Sequence, residues 1–238
     1  MAHSRPRGVE AGRVERLLSK VKGERSTGDR MRALSALLLG FPFEANGLVG
    51  SKDEPEVFTA SLERFDCVTY VETVVALARA SDADEFADGL RRIRYHGGQV
   101  AWERRNHYMT AWIERNARSG AVRKLQTGIA VVRKKRRLDV VPGLAPRWAR
   151  FACVPKAKVK VLKPTLRTGD LVFFASTRPR LDVFHCGILV DGGEGWRMRH
   201  AARSRGSVVE TDLEEFLKTN RMAGVIVVRP VVRPGSPS

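Results

Sequence analysis

The sequence predicts an α+β protein, with helices in its first half and antiparallel strands in its second. Three observations carry this reading. Apolar residues recur at helical spacing in successive segments up to about residue 120. From about residue 121 the pattern changes to short β-type runs separated by Gly, Pro and Asp. Strands and helices do not alternate, as they would around a parallel sheet.

The elements follow in order. Residues 1 to about 10 read as a loose basic tail. Segments 11–22 (AGRVERLLSKVK) and 29–39 (DRMRALSALLL) have helical spacing, and Gly40 ends the second. FPFEANGLVGSKDEP is a loop rich in turn formers. In RFDCVTYVETVVALARA, Asp66 is a good N-cap. Cys67 is then the first helical residue, with Val68, Val71, Val75 and Ala78 on one buried stripe. Residues 83–94 form an amphipathic helix with Phe86, Leu90 and Ile93 inward, and HYMTAWIERNARSG returns to helical spacing after a loop. The β-type runs are LQTGIAVVRKKRRLDVV, VKVL, DLVFFAS, VFHCGILVD, WRMRHAA, SVVE and GVIVVRP, with one short helix, DLEEFLK, near the end. The organisation expected is a basic tail and helical extension over 1–28, one domain over 29–231 and a disordered tail over 232–238.

The chain has 238 residues, 43% of them hydrophobic, enough to bury a core without disulfides. No apolar run approaches the roughly 20 residues of a membrane span. The net charge is +17, from 43 Lys and Arg against 26 Asp and Glu. These charges are scattered, apart from a dense run from Arg133 to Arg137, and no zinc-finger or RNA-motif spacing accompanies them. They read as a solvated surface, with polyanion binding as the alternative. The three cysteines, Cys67, Cys153 and Cys186, cannot form a closed disulfide set. No secretory signal is visible at the N-terminus.

Cys67 stands out by position. A thiol at a helix N-terminus meets unpaired N–H groups and a positive potential, which favour the thiolate. In VFHCGILV the alternation of a strand puts His185 and Gly187 on one face and Cys186 on the other. Cys186 therefore reads as core, and Gly187 as open space for a substrate. His185 and Cys186 can serve one site only if a bulge intervenes. DGGEG is a hairpin turn that brings His200 back beside His185. Cys67, His185 and His200 thus form a candidate nucleophile, base and orienter. A zinc site built from the same residues is the competing reading, although short-spaced ligand pairs such as C-x-x-C are absent.

These residues and their order resemble the NlpC-type papain-like cell-wall hydrolases, and within them the N-acetylmuramoyl-L-alanine amidase-like branch. The matching stretches are DCVTYVE (Asp66 to Glu72), Arg94, Tyr95 and Gly98, then Arg105, Asn106, His107, Tyr108 and Trp112, and finally His200, Ala201, Gly206 and Val208. Ala202 stands where the branch has Ser. The resemblance spans roughly residues 30 to 230. It implies a papain-like fold, with the Cys helix packed on a mostly antiparallel sheet or barrel. It also implies hydrolysis of the amide between N-acetylmuramic acid, including its 1,6-anhydro form, and L-alanine. Endopeptidase cleavage of the stem, or a non-catalytic wall-binding module, is the alternative. Substrate contacts are expected at Arg105, His107, Trp112 and Tyr70. No metal or other cofactor is expected. The partner is peptidoglycan or a muropeptide rather than nucleic acid, and the protein is expected to be a monomer. The family's setting is the periplasm or cell envelope, with the cytoplasm as alternative because no signal peptide is visible.

Overall fold

The computed structural model describes residues 5–125 and 128–231. The tail expected over 232–238 lies outside the described residues. Part of the loose tail expected at the other end is held in place: Arg7 bridges Thr59, and Arg5 pairs with Asp84 at 2.9 Å.

Five helices come first: α1 (Ala11–Ser19), α2 (Thr27–Leu37), α3 (Cys67–Ala78), α4 (Ala83–Arg94) and α5 (Met109–Arg118). Their starts follow from local chemistry. Ser26, Asp66 and Asp82 cap α2, α3 and α4, each accepting a backbone N–H in the first turn. In α4, Asp84 and Glu85 sit in the first turn and Arg91, Arg92 and Arg94 in the last, which complements the helix dipole.

The strands follow: β1 (Val122–Lys124), β2 (Val132–Leu138), β3 (Arg147–Cys153), β4 (Leu171–Ala175), β5 (Val183–Asp191), β6 (Trp196–Ala202), β7 (Ser207–Asp212) and β8 (Gly224–Pro230). Two short helices join them, α6 (Val159–Leu162) and α7 (Leu213–Thr219). Among the described residues, six strands form an antiparallel sheet in the order β1-β8-β4-β5-β6-β7, and β2 pairs with β3 alone. The architecture is α+β with an open sheet, not a barrel. Two expectations change. VKVL forms α6, because four apolar and basic residues carry no period that separates strand from helix. The run from Leu125 to Val141 yields β2 alone, and residues 126–127 within the longer expected strand lie outside the described residues.

The sheet separates two cores. On one face Leu171, Phe173, Cys186, Ile188 and Ala201 pack against the first five helices through residues such as Val14, Leu34, Val74, Leu90 and Trp112. On the other face Val172, Phe174, Leu189, Met198 and Val225 pack against Leu162, Leu213 and Leu217 of α6 and α7. Val14, Leu18 and Val21 of the expected N-terminal extension belong to the first core.

A buried ion pair locks the helices. Arg94 at the end of α4 meets Glu72 of α3 at 2.7 Å, with both side chains no more than 3% exposed. Trp112 Nε1 of α5 donates to the other Glu72 oxygen at 3.1 Å, and Arg94 also donates to the Thr59 carbonyl. Removing one partner strands a buried charge. Glu72→Gln is therefore expected to lower the unfolding free energy by about 3–5 kcal/mol in a urea titration; a loss below about 1 kcal/mol would show the pair to be dispensable.

Candidate active site

The site forms where the two faces of the sheet communicate. The β5–β6 ladder runs only from Ile188↔Arg199 to Asp191↔Trp196, whereas β6 continues its pairing with β7 as far as Ala202↔Ser207. The two strands therefore part over His185–Gly187 and His200–Ala202. On its other side β5 bulges: Phe174 pairs with His185 and Ala175 with Val183, which leaves Phe184 as the extra residue. The N-terminus of α3 abuts this opening, since α3 packs on β5 and β6.

Asp66 sets that terminus. Its Oδ1 accepts from the Val68 and Thr69 N–H groups at 2.9 and 2.7 Å, and the Thr69 hydroxyl reaches back to the Asp66 N–H at 2.9 Å. The carboxylate charge is thus spent on the second and third helical N–H groups. The Cys67 N–H is not among its donors.

The structure brings Cys67, His185 and His200 together. Cys67 is partly exposed, and its sulfur is within hydrogen-bonding reach of both His185 and Cys186. The thiol is pulled down to about 5, first by the bond from Cys186 and then by the bond and charge of His185; burial and the Asp66 charge oppose this. Cys186 itself is driven well above the usual thiol range by the same bond and by burial, so it stays protonated. Its one S–H has two acceptors in reach, the Cys67 carbonyl at 3.2 Å and the Cys67 sulfur. When it serves the carbonyl, His185 alone holds the thiolate and the thiol is less acidic.

His185 Nε2 lies 2.6 Å from His200 Nδ1, and His200 Nε2 lies 3.1 Å from the Thr211 hydroxyl. Burial, and then the charge of His185, lower His200 to about 3, so it is neutral at ordinary pH. A neutral ring that accepts on Nδ1 carries its proton on Nε2 and gives it to Thr211. His185 then donates from Nε2 and keeps Nδ1 for the thiol. Phe174 and Phe216 stack on the His185 ring at 6.3 and 5.5 Å, with interplanar angles of 18° and 24°. They leave the imidazole one plane in which to turn.

Sequence reasoning missed four of these groups. Thr211 and Phe174 sit in strands with no local mark of function. Phe216 lies in the short helix DLEEFLK, which reads as a plain connector. Cys186 packs as core, as expected, but also donates a hydrogen bond to the Cys67 carbonyl. Gly187 has a different use from the one expected: a Cβ there would meet Met198 Cγ at 2.7 Å and the Arg199 carbonyl at 3.0 Å. Its bareness admits β6, not a substrate.

The expected substrate contacts are also redrawn. Tyr70 is fully buried, and its hydroxyl donates to the Ser35 carbonyl at 3.1 Å. Trp112 is 1% exposed and serves Glu72. Neither offers a face to a sugar. His107 meets the Trp102 ring edge-on and shares a 2.7 Å bond between its Nε2 and the Trp102 carbonyl; burial lowers it to about 4, so it is neutral and not a cationic partner for a carboxylate. The Arg105 guanidinium lies over Trp102 at 4.5 Å and pairs with Glu56 at 3.4 Å, whose carboxylate also accepts from the Tyr95 hydroxyl at 2.7 Å. Asn106 Nδ2 donates to the Ile93 carbonyl at 3.0 Å. The segment 94–107 is thus a scaffold of internal pairs.

Among the described residues, no group of three or more His, Cys, Asp or Glu side chains is arranged to hold a metal ion, and no helix is long and apolar enough to cross a membrane.

Comparison with known proteins agrees with this geometry at the level of family. Residues 33–225 match the family model described as AmiA-like, N-acetylmuramoyl-L-alanine amidase-like. A crystal structure of an N-acetylmuramoyl-L-alanine amidase from Bacteroides uniformis ATCC 8492 is 25% identical, with a TM-score of 0.77 over 86% of this chain and 99% of that one. A Legionella pneumophila str. Philadelphia 1 protein superposes with a TM-score of 0.81 over 94% of this chain and 96% of its own, at 18% identity, which speaks for the fold alone. No curated protein sequence matches the chain. With the family model covering most of its length, the chain belongs to the AmiA-like, N-acetylmuramoyl-L-alanine amidase-like family.

Proposed function

We propose that the protein is a cysteine hydrolase of papain-like, NlpC-type architecture. Its substrate is a muropeptide, and the bond cleaved is the amide between the lactyl group of N-acetylmuramic acid and L-alanine. The observation that carries this reading is the acidic Cys67 thiol at the mouth of α3, facing an imidazole whose far nitrogen is taken by a neutral histidine. The family match supports the substrate class.

The chemistry runs on these residues. The Cys67 thiolate adds to the amide carbonyl carbon. The oxyanion that forms takes the Cys67 N–H at the helix terminus, a donor of the kind worth roughly 3 kcal/mol. His185, protonated, gives its Nδ1 proton to the leaving alanine nitrogen, and the C–N bond breaks to leave a thioester on Cys67. His185 then takes a proton from water, which adds to the thioester and releases the muramic acid carboxylate. His200 and Thr211 hold the His185 ring and its tautomer throughout.

Muropeptides incubated with the protein and analysed by mass spectrometry should separate into free stem peptide and sugar fragment. Cleavage between two amino acids of the stem would instead identify an endopeptidase. Cys67→Ala and His185→Ala should each lower kcat by about 10⁴-fold or more, and the double variant should be little worse than either, because the pair acts as a unit. His200→Ala should cost less, since water can occupy the place of Nδ1. Turnover surviving in Cys67→Ala would refute a cysteine nucleophile.

The pH profile follows from the thiol. Activity needs the thiolate, so kcat/KM should rise with pH through an acid limb near 5. In Cys186→Ala the thiolate loses a donor, and the limb should move to higher pH while Cys67 remains the site that iodoacetamide labels fastest. An unmoved limb would mean that the Cys186 proton stays on the Cys67 carbonyl.

Arg105→Lys keeps the charge beside Glu56 but loses the planar guanidinium over Trp102. The melting temperature should fall while kcat/KM changes less than about threefold. A tenfold fall in kcat/KM at unchanged stability would restore Arg105 to the substrate site.

A further inference from the structure

The dense basic run from Arg133 to Arg137 has no part in the site, and the structure gives it a shape. It lies on β2, whose alternate residues face opposite ways. Arg136 and Leu138 turn towards the body: Arg136 donates to the Ser176 carbonyl at 3.3 Å, and Leu138 packs with Tyr108 and Ala149. Arg133, Lys135 and Arg137 turn outward, and all three are exposed. Their cross-strand partners on β3 are Ala152, Arg150 and Trp148, also exposed. The outer face of this two-stranded ribbon is therefore four cations and one tryptophan, with the β2 cations about 7 Å apart along the strand.

Three features make this more than ordinary surface charge. Lys135 stands directly across from Arg150, a like-charge pairing that weakens a ribbon. Among the described residues no ion pair relieves Arg133, Lys135 or Arg150; Arg137 alone has an acidic partner, Asp139 at 3.5 Å. Apolar groups lie in the open beside the cations: Trp148 is 61% exposed, with the Lys135 ammonium 4.3 Å from its ring centre, and Val131, just before β2 and in step with Arg133, is 44% exposed.

We propose that this outer ribbon face is a docking surface for an anionic lipid membrane. Charge complementarity selects an anionic partner. The exposed Trp148 and Val131 choose among anions. A phosphodiester or sugar-acid chain gives the valine nothing to bury against, whereas the headgroup–acyl boundary accepts an indole and a small apolar side chain while phosphate groups neutralise the cations. One strip of four cations with a lone aromatic gives reversible, salt-sensitive association rather than permanent anchoring.

The test is co-sedimentation of the full chain with vesicles of phosphatidylcholine alone and of phosphatidylcholine mixed with phosphatidylglycerol, at low and high salt. The protein should pellet with the phosphatidylglycerol vesicles, remain in solution with phosphatidylcholine, and be released by salt. Lys135→Glu with Arg150→Glu should weaken vesicle binding about tenfold or more. The neutral pair Lys135→Gln with Arg150→Gln should weaken it less; it removes the like-charge contact, so its fold is not at risk. Trp148→Phe should abolish the fluorescence blue shift that vesicles induce, while muropeptide turnover in solution stays unchanged. Equal binding to both vesicle types, binding untouched by the charge reversals, or retention on a single-stranded DNA oligonucleotide with none on vesicles would each overturn the proposal.

Discussion

The buried pair of Glu72 and Arg94 is the constraint on which the rest of the molecule depends. It joins α3 to α4, draws in α5 through Trp112, and reaches the loop at Thr59. A carboxylate and a guanidinium this deep are tolerable only when every lone pair and proton is spoken for, so the geometry of all three helices is held to the geometry of one salt bridge. Six residues before Glu72 on the same chain lies Asp66, the cap of α3. Whatever fixes the helix at Glu72 also fixes where its N-terminus, and hence Cys67, meets the sheet. Next to this pair, Tyr95 and Arg105 both turn to Oε1 of Glu56.

The site itself depends on a break in regularity. Cys67 belongs to the helical face of the sheet, and the two histidines belong to the opposite face, beside Phe174 and Phe216. In a continuous sheet they could not meet. They meet because β5 bulges at Phe184 and parts from β6 below Ile188. Through that seam the helix terminus presents the Cys67 thiol, while the far face supplies an ordered line of hydrogen bonds from His185 to His200 to Thr211. Burial keeps His200 neutral, which gives the line a single direction for its protons. The burial that makes the thiol costly to ionise is opposed at Cys67 by Cys186 first and then by His185.

The fold class and the helix mouth that carries Cys67 were legible in the sequence because both rest on local rules. A helical period of apolar residues, an Asp cap, and the change to β-type runs near residue 121 act over a few residues each. The candidate triad was legible for a related reason: a hairpin turn of known kind, DGGEG, carries His200 back towards His185. VKVL was misread because four residues are too few to show a period, and its helical form is decided by its neighbours.

What the sequence by itself determined, then, is the succession of helices first and strands after, the capped helix that carries Cys67 and the two histidines on adjacent strands. Only the tertiary structure decided which residues lie beside them and which are tied into the scaffold. Tyr70, Arg94, Tyr95, Arg105, Asn106, His107 and Trp112 stand in motifs that read as function, yet their polar atoms are taken by Ser35, Glu72, Glu56, Ile93 and Trp102. Thr211, Phe216 and Cys186 carry no such mark and touch the site. The physical reason is that a buried hydrogen bond and a catalytic one use the same side chains. The difference lies in whether the partner is another part of the chain, which only the packing of distant segments can supply.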